Sequence, residues 1–408
     1  MTGAERRLRV GVIFGGRSGE HEVSLLSAAS VMAALDPATY EVVPIGIAKD
    51  GRWLAGPAAL EHLRRVARLP ASGAMKALAA ANGRHDLAAV HEVGLLPDPS
   101  RHGVLAARPS AGQMLVAAGG GFAGLDVVFP VLHGPFGEDG TIQGLLELAG
   151  LPYVGAGVLG SALGMDKIAM KDVFRANGLP VVRYSAVVRS AFEAAPDKVI
   201  QQVQSELNLP YFVKPANLGS SVGITKVQEA KDIARAIRVA AHYDRRIIVE
   251  EAAPNVREIE CSVLGNDDPV ASVPGEVIPS REFYDYSAKY IDEDSALVIP
   301  ADLPPTVAAS VRQIAIRAFR SLDCSGMARV DFFVGRDDNR ITLNELNTIP
   351  GFTTISMYPK LWQATGLSYE QLLQRLIELA IERHGDRLRS ATTYAPEDEP
   401  LSDGGMGA

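Results

Sequence analysis

Residues 8–14 read LRVGVIF, a short β-branched apolar run ended by Gly15-Gly16, and this predicts a buried strand. After the loop RSGEHE, the stretch VSLLSAASVMAAL has apolar residues at helical spacing until Asp36-Pro37 stops it. EVVPIGIA is a second strand. This strand–loop–helix–strand order predicts a parallel sheet of Rossmann-like type. Between Gly56 and Gly121 the pattern fades into Ala, Gly and Pro, and its topology stays open. LDVVFPVLHG is again a strand, followed by the glycine-rich loop HGPFGEDGT, a helix IQGLLELAG and a short strand LPYVG.

Beyond Gly160 a second α/β alternation begins. ALGMDKIAMKDVFRANG reads as one amphipathic helix stopped by Gly178. LPVVRYSAV, a helix near 195–207, LPYFVKPA, IIVEEAA and EIECSVLG follow. ARVDFFVG and RITLNELN are strands joined by RDDNR, a turn rich in Asp and Asn. SYEQLLQRLIELAIERH closes the order as an amphipathic helix. The polar, Pro- and Gly-containing residues 386–408 read as a disordered tail.

Composition narrows the class. The chain has 408 residues, 47% of them hydrophobic, and a formal net charge of −8. No basic run marks a nucleic-acid face. Its two cysteines, Cys261 and Cys324, lie in no CxxC or Cys/His cluster, which argues against a disulfide framework and a structural zinc. The N-terminus lacks the apolar core of a secretory signal, and no uncharged apolar run is long enough to span a bilayer. The expectation is a cytoplasmic protein with no membrane and no nucleic-acid partner.

The hairpin carries the first chemical signal. If it is symmetric about Asp338, Arg329 opposes Asn347 and Asp331 opposes Glu345, with all four side chains on one face. Two carboxylates ~5 Å apart repel by roughly 3 kcal/mol at an effective dielectric of about 20. A fold tolerates that pair when a cation sits between them, or when the face is simply solvated. Two carboxylates and an amide oxygen are hard donors of the kind magnesium prefers. A second signal is KPANLGSSVGITKV, where a strand delivers Lys214 to a small-residue loop, Gly219 to Gly223. Such loops let backbone N–H groups and hydroxyls, here those of Ser220 and Ser221, approach phosphate oxygens. The motif is not a Walker A sequence. Lys167 is a second lysine able to reach a nucleotide, and Glu250-Glu251 ends a strand where a carboxylate can meet ribose hydroxyls.

Taken in order, GGRSGEHEVSL, HGPFGEDGTIQGLLE, GMDKIAMK, VKPANLGSSVGITKV, EFYDYSAKY, ARVDFFV and NELNTIPGFTTISMYP resemble the D-alanine–D-alanine ligases of the ATP-grasp superfamily, over residues 8–382. The resemblance implies an α/β fold: a Rossmann-like N-terminal domain over 1–135, then two ATP-grasp subdomains, 136–229 and 230–385, with nucleotide between them. It implies that ATP phosphorylates one D-alanine and that the amine of a second displaces phosphate, which supplies a peptidoglycan precursor.

Residue by residue, Lys167 and Lys214 match the phosphate lysines, Ser220 and Ser221 the phosphate loop, and Glu250 and Glu258 the positions that hold adenosine. Asp331, Glu345 and Asn347 match ligands of two magnesium ions (manganese is also possible), with Glu345 bridging. Arg329 and the Gly351 N–H match the oxyanion hole. Ser356 and the Met357 N–H match the site for the second alanine's carboxylate. Glu22 is expected to hold the first alanine's ammonium, and His133 to lie near that substrate. In EFYDYSAKY, which resembles the family's ω-loop, Lys289 is expected to reach the γ-phosphate. Tyr290 is expected to close the site in a triad with Glu22 and Ser220, and tyrosine there implies an amine acceptor. A homodimer is also implied.

Rival readings fit less well. Another ATP-grasp ligase, for a different amino acid or for D-lactate, would be expected to lack Tyr290, Ser356 or HEVSL. A nicotinamide dehydrogenase would need GxGxxG and an acidic residue ending the next strand. A non-catalytic nucleotide sensor would have lost Arg329 or a metal ligand.

Overall fold

The computed structural model describes residues 6–69, 73–74, 90–101, 105–107, 124–278 and 296–392. Lys289 and Tyr290, and the tail from 393, lie outside the described residues.

The first sheet holds β1 (Leu8–Gly15), β2 (Tyr40–Ile47), β3 (Trp53–Ala55), β4 (His91–Leu95), β5 (Leu105–Ala107) and β6 (Val127–Val131), in the order β5-β4-β3-β2-β1-β6. β1 is parallel to both β2 and β6, as the Rossmann-like reading expects. β3, β4 and β5, from the stretch the pattern left open, extend this sheet antiparallel. Helices α1 (His21–Ala34) and α2 (Ala59–Val66) follow β1 and β3.

Helix α3 (Thr141–Leu148) belongs with this first sheet, since Ile142, Leu146 and Tyr153 share a core with Ile13, Val43 and Val128. The single helix expected before Gly178 is two helices, α4 (Val158–Met165) and α5 (Lys167–Ala176). Asp166 is the cause. Its carboxylate accepts from the Ile168 and Ala169 N–H groups and starts a new helix. Gly178, at φ +65°, ends α5 as expected.

The second sheet is β7 (Tyr184–Val188), β8 (Tyr211–Pro215), β9 (Thr225–Val227) and β10 (Arg246–Glu251), ordered β7-β10-β8-β9. α6 (Arg189–Ala194), α7 (Pro196–Glu206) and α8 (Ile233–Tyr243) supply its helices. The chain returns as β10 between β7 and β8, so this unit runs to Glu251, past the expected division at 229. We therefore place the divisions near Gly157 and after Glu251.

The third sheet contains β11 (Val256–Gly265), β12 (Val270–Ala271), β13 (Gly275–Ile278), β14 (Ala296–Val298), β15 (Gly326–Gly335) and β16 (Ile341–Asn347). α9 (Pro305–Ser321) packs on it. α10 (Met357–Thr365) and α11 (Tyr369–Arg387) complete the chain. α11 starts at a capping box made by Ser368 and Gln371, and it continues past 385, where the tail was expected to begin. Leu372 and Leu376 of α11 join Phe352 and Tyr358 in one core with Val10, Phe14 and Phe129 of the first sheet. That shared core brings Ile349 and Phe352, just past β16, against the first sheet.

Candidate active site

The hairpin register is the expected one where it matters. Arg329 opposes Asn347 and Asp331 opposes Glu345. Immediately beyond, the register shifts by a β-bulge: Phe332 opposes Leu343, and Asn344 is the extra residue. On the other side of β15, Glu260 of β11 opposes Asp331. Glu260, Asp331 and Glu345 therefore form one acidic row across three strands, a row the hairpin alone does not reveal.

One guanidinium serves two of these carboxylates. Arg329 Nε and Nη2 each donate to Asp331 at 2.7 Å, and Nε lies 3.0 Å from Glu260. Asn347 Nδ2 donates to Asp331 Oδ2 at 3.0 Å, and Lys167 Nζ stands 4.0 Å from Glu345. Glu260, Asp331 and Glu345 thus stand with Arg329 and Lys167 in a partly buried place. The oxygens of this row are hard donors of the kind magnesium or manganese takes, and a half-turn of the Asn347 amide would add an amide oxygen to them. Among the described residues, no group of three or more His, Cys, Asp or Glu side chains is gathered to hold a metal ion. An ion on this face would need further ligands, such as phosphate oxygens.

Lys214, on β8, donates to Glu250 Oε2 at 2.6 Å. Their strands pair antiparallel with Lys214 opposite Ile248, which puts Glu250 diagonally on the same face. Lys171, on the buried side of α5, reaches the other Glu250 oxygen at 3.2 Å and donates to the Asn344 carbonyl at 2.6 Å. Burial works against charge on all three groups. The two ammonium groups nevertheless hold Glu250 below the usual carboxylate range. Glu250, with help from Glu345 and Glu258, outweighs burial and holds Lys214 above the usual lysine range. In Lys171, the deepest of the three, burial prevails and lowers it.

Lys171 thus links the carboxylate beside Lys214 to the bulge next to Glu345, a role the helical pattern could not signal. Lys171→Met leaves Glu250 one cation and Asn344 O no ammonium donor. The expected result is a stability loss of about 3 kcal/mol in urea unfolding and a KM for ATP raised about tenfold or more. An unchanged KM for ATP would show that the bulge does not need Lys171.

The loop after β8 holds Ser220 and Ser221 at φ +52° and +58° and Gly223 at +74°. Left-handed backbone at two serines is costly and persists only where the surroundings impose it. Here the surroundings include Glu20: the Ser220 hydroxyl donates to Glu20 Oε1. A Cβ on Gly219 would lie 3.1 Å, and one on Gly134 2.9 Å, from Glu20 Oε2. Two glycine loops therefore close over one carboxylate. Lys167 Nζ donates to Leu218 O, at the same loop, at 2.9 Å.

This overturns the assignment of Glu22. Glu22 sits in the first turn of α1 and pairs with Lys49 at 2.6 Å. That pairing, against some burial, holds its carboxyl below the usual range. Glu20 lies outside the helix at its N-cap and meets the Ser220 loop, while Glu22 lies in the first turn and meets Lys49. Glu138, another group the sequence reading passed over, lies in HGPFGED beyond β6, where ligands collect in open α/β sheets. Burial, then the charge of Glu20, pushes its carboxyl up to about 8.

His133 is buried, not exposed as an isolated loop histidine would be. Its Nδ1 lies 3.1 Å from the Ile349 carbonyl. A Cβ on Gly351 would stand 3.0 Å from Ser356 Oγ, so glycine keeps that approach open. Ser356 is the N-cap of α10, yet its hydroxyl oxygen accepts from the Thr353 N–H at 3.1 Å and makes no cap bond to the helix. Met357 is the first helical residue. Glu258 faces the Lys214 cluster from β11.

Two family models match the chain, "D-ala D-ala ligase N-terminus" over residues 9–156 and "D-ala D-ala ligase C-terminus" over 173–378. The chain is 48% identical to the D-alanine–D-alanine ligase of Natranaerobius thermophilus, covering 96% of this chain and 99% of that one. It is 47% identical to that of Heliobacterium modesticaldum, covering 95% and 98%. Among solved structures it is similar to the D-alanine–D-alanine ligase of Coxiella burnetii, with TM-score 0.72 and 37% identity over 94% of this chain and 96% of that chain. It is also similar to the VanG D-Ala:D-Ser ligase of Enterococcus faecalis, with TM-score 0.76 and 34% identity over 92% and 100%.

Proposed function

The chain belongs to the D-alanine–D-alanine ligase family, and from that premise we propose that it joins two D-alanines at the expense of ATP through a D-alanyl phosphate. The observation that carries the reading is the hairpin face, where Arg329, Asp331, Glu345 and Asn347 stand together within reach of Lys167. A carboxylate is a poor acyl donor. ATP converts it to an acyl phosphate, the second amine adds to the carbonyl, and phosphate leaves with the bonding electrons while the amine gives up a proton.

Lys167, Lys214, Ser220 and Ser221 are suited to hold the triphosphate. The resemblance gives Glu250 and Glu258 to the adenosine; in the free chain Glu250 is buried between Lys171 and Lys214. Asp331, Glu345 and Asn347 would hold magnesium, or manganese, which when bound neutralises charge on the transferred phosphoryl group. Arg329 and the Gly351 N–H would receive the oxyanion. Glu20, with Glu138 behind it, is the acidic pocket for the first alanine's ammonium group, and a cation arriving there would draw off the Glu138 proton. Ser356 and the Met357 N–H lie at a helix N-terminus, which favours the second alanine's carboxylate. Lys289 keeps the role the resemblance gives it, and Tyr290 would close the site with Ser220 and with Glu20 in place of Glu22. We also propose a cytoplasmic homodimer, on the resemblance alone. Among the described residues no helix is long and apolar enough to cross a membrane.

ADP release with D-alanine, L-alanine, D-serine and D-lactate tests the reading. D-Alanine alone should give rapid ADP and D-alanyl-D-alanine, and no ADP with D-alanine would sink the proposal. A mixed product with D-serine or D-lactate at equal rate would overturn the acceptor assignment. Glu20→Gln should raise the KM for the first D-alanine about a hundredfold, while Glu22→Gln, an exposed pair worth under about 1 kcal/mol, should change it little. The reverse pattern would restore Glu22 to the site.

A further inference from the structure

Gly351 lies in the segment Ile349-Pro350-Gly351-Phe352, and both ends of that segment are gripped by side chains of the first sheet's unit. The Ile349 carbonyl lies 3.1 Å from His133 Nδ1. A carbonyl can only accept, so Nδ1 carries the proton; burial favours the neutral ring, in which Nε2 keeps its lone pair. Nε2 faces Ser27 Oγ at 3.5 Å, and Ser27 Oγ accepts the Phe352 N–H at 3.3 Å. The directions agree along the whole chain: Phe352 N–H to Ser27, Ser27 O–H to His133, His133 N–H to Ile349. Such bonds are often long in a free enzyme and shorten in the reacting complex.

Ser27 is fully buried on α1, where its neighbours Ala28 and Ala29 are also fully buried. Alanine would fit that face without the cost of burying a hydroxyl. The far side of Phe352 is fixed too. Its carbonyl accepts from Tyr369 at 2.6 Å, and its ring packs edge-on against Phe129 at 5.7 Å.

We propose that Ser27 and His133 form a hydrogen-bond staple across residues 349–352 that aims the Gly351 N–H, making both positioning residues for the acyl-transfer step. This rests on the oxyanion role assigned to Gly351 above. It moves His133 from contact with substrate to support of the backbone donor, and it ties α1 to the end of the metal hairpin. The staple acts after the acyl phosphate has formed, because the oxyanion develops only when the amine adds.

The experiment is Ser27→Ala, read by two rates in the same preparation: dipeptide formation, and exchange of 18O between bridging and non-bridging positions of ATP, which reports reversible acyl phosphate formation. Dipeptide formation should fall about tenfold or more while the exchange persists near the wild-type rate. Ser27→Thr, which keeps the hydroxyl, should recover most of the loss. Equal loss of both rates, or loss of neither, would overturn the proposal. If Ser27→Ala does not fold, His133→Asn keeps a donor for Ile349 and removes the Ser27 partner, and it is read in the same way. Failure of the functional reading itself looks different: the wild type would then make no ADP with D-alanine.

Discussion

Glu345→Gln should lower ADP release with D-alanine by about 10³-fold, roughly 4 kcal/mol of transition-state stabilisation, while the heat stability of the free chain changes little. The two expectations have one origin. Glu260, Asp331 and Glu345 stand in a row on adjacent strands, and Arg329 pairs with the first two. Glu345 also faces Lys167, Lys171 and Lys214, so taking its charge away relieves repulsion within the row and gives up attraction to those ammonium groups, two effects that oppose each other in the free protein. The same charge is what the row would offer a metal ion and, through it, a phosphoryl group. Glutamine keeps the size and shape of the side chain, so the hairpin should keep its register. Thermal unfolding without divalent ions and a coupled ADP assay at saturating magnesium test the two expectations. Near wild-type turnover, or a lower melting temperature with turnover retained, would contradict the metal assignment.

Arg329→Lys should lower dipeptide formation by about 10²–10³-fold with the KM for ATP close to wild type. The guanidinium forks onto both Asp331 oxygens at 2.7 Å and also reaches Glu260 at 3.0 Å. Lysine preserves the charge, so these largely buried carboxylates stay compensated and the chain should fold. It cannot reproduce two parallel N–H bonds while offering a further donor to substrate. Steady-state kinetics in ATP and D-alanine, with urea unfolding as the control, read this out. Activity within tenfold of wild type would show that charge alone suffices and that no directed donor acts from this position.

Much of this site was legible because strands alternate strictly. Arg329, Asp331, Glu345 and Asn347 could be put on one face from spacing alone, and they are on one face. The assumed symmetry about Asp338 nevertheless fails one residue away. The bulge at Asn344 offsets the turn, and the carbonyl it frees goes to Lys171, a partner 173 positions distant. Nothing local in the sequence marks such a partner. The Glu22 error has a similar source. HEVSL shows a helix beginning, but whether the functional carboxylate lies on the helix or at its cap depends on where the Ser220 loop arrives. Asp166 was readable in principle, since an aspartate ahead of a helix is a cap signal that the unbroken apolar spacing on either side concealed. Ser27 had no signal. Its meaning comes only from Phe352, brought over it when α10 and α11 pack back on the first sheet.

The most direct test of the hairpin claim counts bound metal rather than turnover. Manganese titration followed by electron paramagnetic resonance, with a non-hydrolysable ATP analogue present, should find two ions per wild-type chain. In Glu345→Gln, tight manganese binding should be lost although the analogue still binds. Two tightly held ions in the variant would place the metal site elsewhere in the molecule.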